Sequence, residues 1–244
     1  MNARLETSQP AAFVLNAEQA IGYIAVQLPG STAVFRRLKL DFCCGGQISL
    51  QQAATDKGLD PHAVLAELGT LQRSDEVPAL TDPVALIDHI LTRYHEVHRS
   101  QLPELIKMAR RVEAVHHENP LAPKGLADLL ETMEAGLLSH MEKEEGILFP
   151  MLKAGGNNFV VHPIGMMRSE HIDHGALLEK VIALTNGVTA PEGACNTWNA
   201  LYAGIAQLND DLINHIHLEN NVLFPHFEAP KAAQGCGTTT CGCS

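Results

Sequence analysis

Two eleven-residue stretches of this chain align without a gap. "HMEKEEGILFP" occupies residues 140–150 and "HIHLENNVLFP" occupies residues 215–225. Each reads His, three residues, Glu, two residues, an aliphatic residue, then Leu-Phe-Pro, and the copies stand 75 residues apart. A second pair repeats alongside them: "HEVH" at residues 95–98 and "HIDH" at residues 171–174, 76 residues on. Residues i and i+4 share one face of a helix, a turn apart. A His and a Glu so placed converge on one point, and the doubling gives two such points related by a pseudo-two-fold axis. The chain has to fold so that the copies face each other.

Hydrophobic periodicity supplies the helices. One pattern opens at Asp82-Pro83 and carries Val84, Ile87, Ile90, Leu91 and Tyr94. A second starts near Pro123 with Leu126, Leu129, Leu130, Met133, Leu137 and Met141. A third starts near Pro163 with Met166, Met167, Leu177, Leu178, Val181 and Ile182, and a fourth runs from Cys195 to Phe227 through Leu201, Ile205, Leu208, Leu212 and Ile216. Each is an apolar stripe with polar residues opposite. No run alternates as a strand does. The expectation is all-α, with a four-helix bundle over residues 83–228. Residues 15–73 read as a small helical domain. Pro29 closes its first helix, Ser31 is placed to cap the next, Gly58 suits a helix stop, and Asp60-Pro61 is a helix start. Such a domain buries little surface, so a partner surface, including a second copy in a homodimer, suits it. A polar linker is expected at 73–82 and a Cys-rich flexible tail at 229–244.

One His from each H-x-x-H helix, plus a His and a Glu from each of the others, makes four His and two Glu. That is enough for two metal ions. Imidazole with carboxylate fits iron or manganese, with zinc open. Two divalent ions against two carboxylates leave excess positive charge, which a bridging oxide or hydroxide neutralises. A lone H-x-x-x-E usually marks a solvated face. Here Leu137, Leu138, Ile147 and Leu148 flank one copy, and Leu212, Ile213, Val222 and Leu223 flank the other. A buried unpaired Glu is costly, and a cation supplies the partner. Spacing does not choose between the two His of each H-x-x-H. Glu170 is a candidate supporting residue, whereas His62, His116 and His117 read as surface residues.

The net charge of −11 argues against nucleic acid and anionic membranes. No segment approaches the ~20 apolar residues that span a bilayer, and "MNARLETSQP" lacks an apolar leader core. A cytoplasmic protein is expected. Cys43 and Cys44 precede Gly45-Gly46 and a helix start, a setting that lowers a thiol pKa and favours thiolate chemistry. Cys195 reads as a small core or cap residue. Cys236, Cys241 and Cys243 crowd the tail.

Together these motifs resemble the iron–sulfur cluster repair di-iron proteins, also called repair of iron centres. "DFCCGG" resembles the signature of that family's N-terminal domain. "RYHEVHRSQLPEL", "SHMEKEEGILFPML", "SEHIDHG" and "NHIHLENNVLFP" resemble its hemerythrin-like domain. The resemblance implies two irons, oxo- or hydroxo-bridged, on His95, His140, Glu144, His171, His215 and Glu219, with both Glu bridging. It also implies repair of clusters damaged by nitrosative or oxidative stress. Damaged iron–sulfur proteins would accept the iron, an unidentified reductant would supply electrons, and Cys43 and Cys44 would relay iron or dock the acceptor. The rival readings are an oxygen or nitric oxide binder or sensor and a redox catalyst on nitrogen oxides. The Cys-rich tail departs from the family pattern.

Overall fold

The computed structural model describes residues 13–71 and 82–228. The expected linker, apart from Asp82, and the tail with Cys236, Cys241 and Cys243 lie outside the described residues.

Four short helices come first: α1 (Ile21–Gln27), α2 (Ser31–Arg37), α3 (Leu50–Asp56) and α4 (Pro61–Gly69). Local sequence explains their ends. Ser49 Oγ accepts from Gln52 N–H to cap α3, and Asp60 accepts from His62 N–H ahead of Pro61. Gly58 takes a positive φ of 68° after α3. Ser31 does not cap. Its hydroxyl is buried and donates to the Leu28 carbonyl at 2.6 Å, while Gly30, at φ 85°, starts α2. Ile24, Phe35, Phe42, Leu50 and Leu68 are among the buried residues that form this unit's own core.

Four rods follow. The first is α5 (Pro83–Ile90), a π-helical turn (Leu91–His95) and α6 (Glu96–Val115). The second is α7 (Leu126–Lys143), a π turn (Glu144–Leu148) and α8 (Phe149–Lys153). The third is α9 (Val161–Leu184). The fourth is α10 (Asn196–Leu218), a π turn (Glu219–Leu223) and a 3₁₀ turn (Phe224–His226). Asp82 caps the first rod by accepting from Val84 and Ala85 N–H, with Pro83 in the first turn. Among the described residues there is no strand, only an isolated bridge between Ala20 and Ser49. No helix there is long and apolar enough to cross a membrane.

The rods bury two apolar clusters. One includes Leu102, Leu137, Met141, Leu178, Leu212 and Ile216; the other includes Ile90, Leu148, Phe149, Met167, Leu223 and Phe224. Each rod passes from one cluster to the other, and the repeated His and Glu sit at the crossing. The small unit docks on this bundle. Arg36 reaches Asp210 at 3.2 Å and the Asn214 Oδ1 at 3.1 Å, and Ile213 packs against both the small core and the bundle core.

Candidate metal centre

His95, His140, Glu144, His171, His215 and Glu219 are all fully or almost fully buried. Their ligand atoms fall into two groups, each within 4.8 Å: His95, Glu144, His215, Glu219, and His140, Glu144, His171, Glu219. Both carboxylates belong to both groups. The imidazoles pair across the rods. His95 Nε2 lies 3.2 Å from His215 Nε2, and His140 Nε2 lies 3.1 Å from His171 Nε2. Two ring nitrogens turned on each other need something between them to bind.

The far nitrogens are fixed from outside. Glu145 holds His95 Nδ1 at 2.7 Å, Glu170 holds His140 Nδ1 at 2.9 Å, and Asn220 Oδ1 holds His171 Nδ1 at 2.9 Å. With Nδ1–H donating outward, each Nε2 presents its lone pair inward, the arrangement that orients imidazole ligands. Lys143 and Arg99 in turn grip Glu170 and Glu145. Burial opposes ionisation of these two glutamates, but the His and cation contacts outweigh it and hold both below the ordinary range. Aromatic rings press the imidazoles into place. Phe149 and Phe224, the Phe of each Leu-Phe-Pro, stack on His95 and His171, and Tyr94 stacks on His215 at 5.3 Å and 3°.

The donor set fits a cation. Both Glu144 oxygens, Glu219 Oε2 and His215 Nδ1 are buried without a hydrogen-bond partner. Burial, followed by the charge of Glu219, pushes Glu144 well above the usual carboxylate range. Burial pushes Glu219 up too, yet the His215 and His171 rings hold it well below. Two facing carboxylates of which only one can ionise are missing positive charge between them. Desolvation also keeps the His95 and His140 rings neutral, lowered to about 4 and about 3, the form that ligates metal.

Backbone geometry aims the carboxylates. Glu144 and Glu219 each open a π turn, in which the N–H of Phe149 and of Phe224 bonds to the Glu carbonyl five residues back. Pro150 and Pro225 come next. A proline inside an α-helix clashes with the carbonyl four residues earlier and has no N–H to offer it, so the widened turn accommodates it. π turns of this kind cluster at functional sites.

Glu170, the candidate supporting residue, does lie against His140, while sequence reasoning missed Glu145 and Asn220. Asn220 was findable only as the residue after the second Glu. His98 and His174 are buried, not exposed: their rings lie against His215 and His140, and neither His98 nitrogen has a partner. His217, also buried, packs on Phe42. His116 touches Cys195 Sγ at 3.2 Å.

The vicinal cysteines sit against the bundle. Asn220 Nδ2 donates to the Cys43 carbonyl at 3.0 Å while its Oδ1 takes the His171 proton, and the Cys44 thiol faces the His171 carbonyl at 3.7 Å. Asn221 Nδ2 donates to the Phe42 and Cys43 carbonyls. One expectation is corrected here. The thiols lie several residues before α3, so they do not stand at a helix start. The Cys44 thiol, burial and the Asp41 charge instead push the Cys43 thiol up. Neither Gly45 nor Gly46 has a positive φ. Gly46 is needed for space: a Cβ on it would stand 2.4 Å from the Phe42 carbonyl oxygen and 3.1 Å from Asn221 Oδ1.

A helical bundle with a doubled His/Glu site at its centre is the hemerythrin class, and residues 86–227 match the hemerythrin HHE cation binding domain. Residues 17–72 match a domain of unknown function, DUF542. The chain is 50% identical to an iron–sulfur cluster repair protein of Citrobacter koseri over 210 residues, 85% of this chain and 96% of that one. It is 49% identical to counterparts of the same name in Cronobacter sakazakii and Escherichia coli, covering 85% of this chain and 95% and 96% of theirs. The chain belongs to the iron–sulfur cluster repair protein family.

Proposed function

We propose that this protein restores iron–sulfur clusters damaged by nitrosative or oxidative stress, supplying iron to the damaged protein. Its bundle holds two irons on His95, His140, His171 and His215, with Glu144 and Glu219 bridging them and an oxide or hydroxide completing the charge. The observation that carries this is the membership of both carboxylates in both four-residue groups. Iron held by imidazole and carboxylate is bound less tightly than by thiolate, so a cysteine-rich acceptor can draw it away. The chain's own residues do the rest. Glu145, Glu170 and Asn220 keep Nε2 lone pairs inward, and Phe149 and Phe224 exclude water from the ligand layer. Cys43 and Cys44, at the edge of that layer, face the acceptor. The reaction takes place in the cytoplasm, with a reductant supplying electrons.

Metal analysis and a reactivation assay test the reading together. Two irons per chain and recovery of activity by a nitric-oxide-treated iron–sulfur protein are expected. One zinc per chain, or no recovery with the iron-loaded protein, overturns it.

Binding or sensing of oxygen or nitric oxide is a second reading. The partnerless, fully buried nitrogens of His98 beside His215 favour it, because they offer hydrogen bonds to a small guest. Gas titration of the reduced protein distinguishes it from iron supply.

A further inference from the structure

Outside the buried layer, one other set of ligand-type side chains converges among the described residues: Asp41, Cys43 and Cys44. The Cys43 thiol lies 3.3 Å from Asp41 Oδ1 and 3.8 Å from the Cys44 sulfur. A tetrahedral ion with metal–sulfur bonds of about 2.3 Å and metal–oxygen bonds of about 2.0 Å separates two sulfurs by roughly 3.8 Å and a sulfur from an oxygen by roughly 3.5 Å. The loop therefore holds two edges of a tetrahedron close to their bonded lengths, with all three ligand atoms within 4.8 Å of one another. The carboxylate is fixed in advance. Asp41 Oδ1 accepts from Cys44 N–H and Oδ2 from Gly45 N–H, both at 2.9 Å, which leaves further lone pairs facing the sulfurs. The loop is held too, by Asn220 and Asn221 on the Cys43 carbonyl and by the tight approach at Gly46.

We infer that Asp41, Cys43 and Cys44 form a second metal site, an open three-ligand site for a thiophilic divalent cation such as ferrous iron or zinc. Two thiolates and a carboxylate suit such an ion. As it binds, two S–H protons leave to water and two metal–sulfur bonds form; no electrons are transferred. Asp41 is exposed and the cysteines are half-buried, so the fourth position opens to solvent and to an incoming thiolate. The Cys44 sulfur is 3.7 Å from the backbone of His171. That places the site where iron leaving the buried layer would next meet protein ligands. This transit role rests on the iron-supply reading above; the existence of the site does not.

The test uses the full-length, iron-loaded protein with Cys236, Cys241 and Cys243 changed to Ser, titrated with cobalt(II). One further cobalt per chain is expected, with thiolate-to-cobalt charge-transfer absorption in the near ultraviolet. Cys43→Ser or Cys44→Ser should abolish that absorption, and Asp41→Asn should weaken binding at least tenfold. Glu144→Ala with Glu219→Ala should leave the absorption in place. No thiolate absorption, absorption that survives Cys43→Ser with Cys44→Ser, or full affinity in Asp41→Asn overturns the site. Reactivation measured on the same samples separates the two ideas. With Asp41, Cys43 and Cys44 intact, no absorption beside intact repair sinks this site alone, and absorption without repair sinks iron supply alone; in Cys43→Ser, lost absorption with intact repair sinks the transit role alone.

Discussion

Asn220 joins two parts of the molecule with one side chain, accepting from the His171 ring and donating to the Cys43 carbonyl. Asn220→Ala removes both bonds. Outer-sphere partners of metal-bound His typically govern affinity by about 10–100-fold, so iron retention against a chelator should fall by about that factor; undiminished retention would mean that His171 needs no such support. The two carboxylates shared by both groups rank higher. Glu144→Ala and Glu219→Ala should each lose more iron than His98→Ala or His174→Ala, by metal analysis. His98 and His174 are buried beside the ligand rings yet stand apart from both groups of converging atoms. Equal loss in all four variants would overturn the assignment. At this scale the His/Glu set was legible because chemistry recurs at fixed spacing. Asn220 and Glu145 were not, because an amide or a second Glu in a polar helix turn has no pattern of its own.

The rods were legible as elements and their irregularities were not. The apolar stripes of residues 87–94, 126–141 and 201–216 report a helical period and a core face, and both are present, whereas Val84 at the start of the first stripe is exposed. A π turn leaves that period intact on either side, so the turn at Leu91–His95, with no proline behind it, leaves no trace in the pattern. The other two are marked only by Pro150 and Pro225, which alone would read as helix ends. The small unit's Ser31 misled for a related reason. A Ser ahead of an apolar run signals a cap, but here Pro29-Gly30 turns the chain so that its hydroxyl bonds backward to Leu28. Cys43→Ser with Cys44→Ser tests the loop as an element. The bond to Asn220 comes from the Cys43 carbonyl, which the substitution keeps, so iron content should stay intact while cluster reactivation falls. Loss of iron would make the thiols supports of the centre. Deleting residues 235–244 is the matched control, and loss of repair there alone would assign the relay to the tail.

The molecule as a whole carries histidines that burial, more than any other cause, holds neutral. His217, buried where the small unit meets the bundle, is lowered by desolvation from 6.5 to about 4, and His98 by burial and the neighbouring His215 to about 2. A free imidazole in the unfolded chain takes its proton near pH 6.5. Between that pH and about 4, the unfolded chain therefore binds more protons than the folded one, and stability falls as pH falls. A shift the size of that at His217 is worth roughly 3 kcal/mol when fully expressed. The metal-free protein should lose stability steadily from pH 6.5 to 4.5 in urea titrations, and His217→Gln should flatten the profile. A flat profile in the unaltered chain would show that these rings are not buried neutral.

The widened turn at Glu144–Leu148 amounts to an insertion that the fold has absorbed without a loop. Gly146 lies inside it, exposed, and a Cβ there would meet nothing; no neighbour depends on it. A single-residue deletion in a helix ordinarily rotates everything downstream by about 100° and throws the core out of phase. Deleting Gly146 removes the surplus residue instead, so Leu148, Phe149 and Leu152 keep their side of the rod. Helical content by circular dichroism should fall by no more than the turn around Pro150, which loses its widened geometry, while iron is lost because the aim of Glu144 depended on the surplus. Such a change is length-neutral for folding and null for the centre, which makes this position the place where the helix and the metal site can be inherited separately.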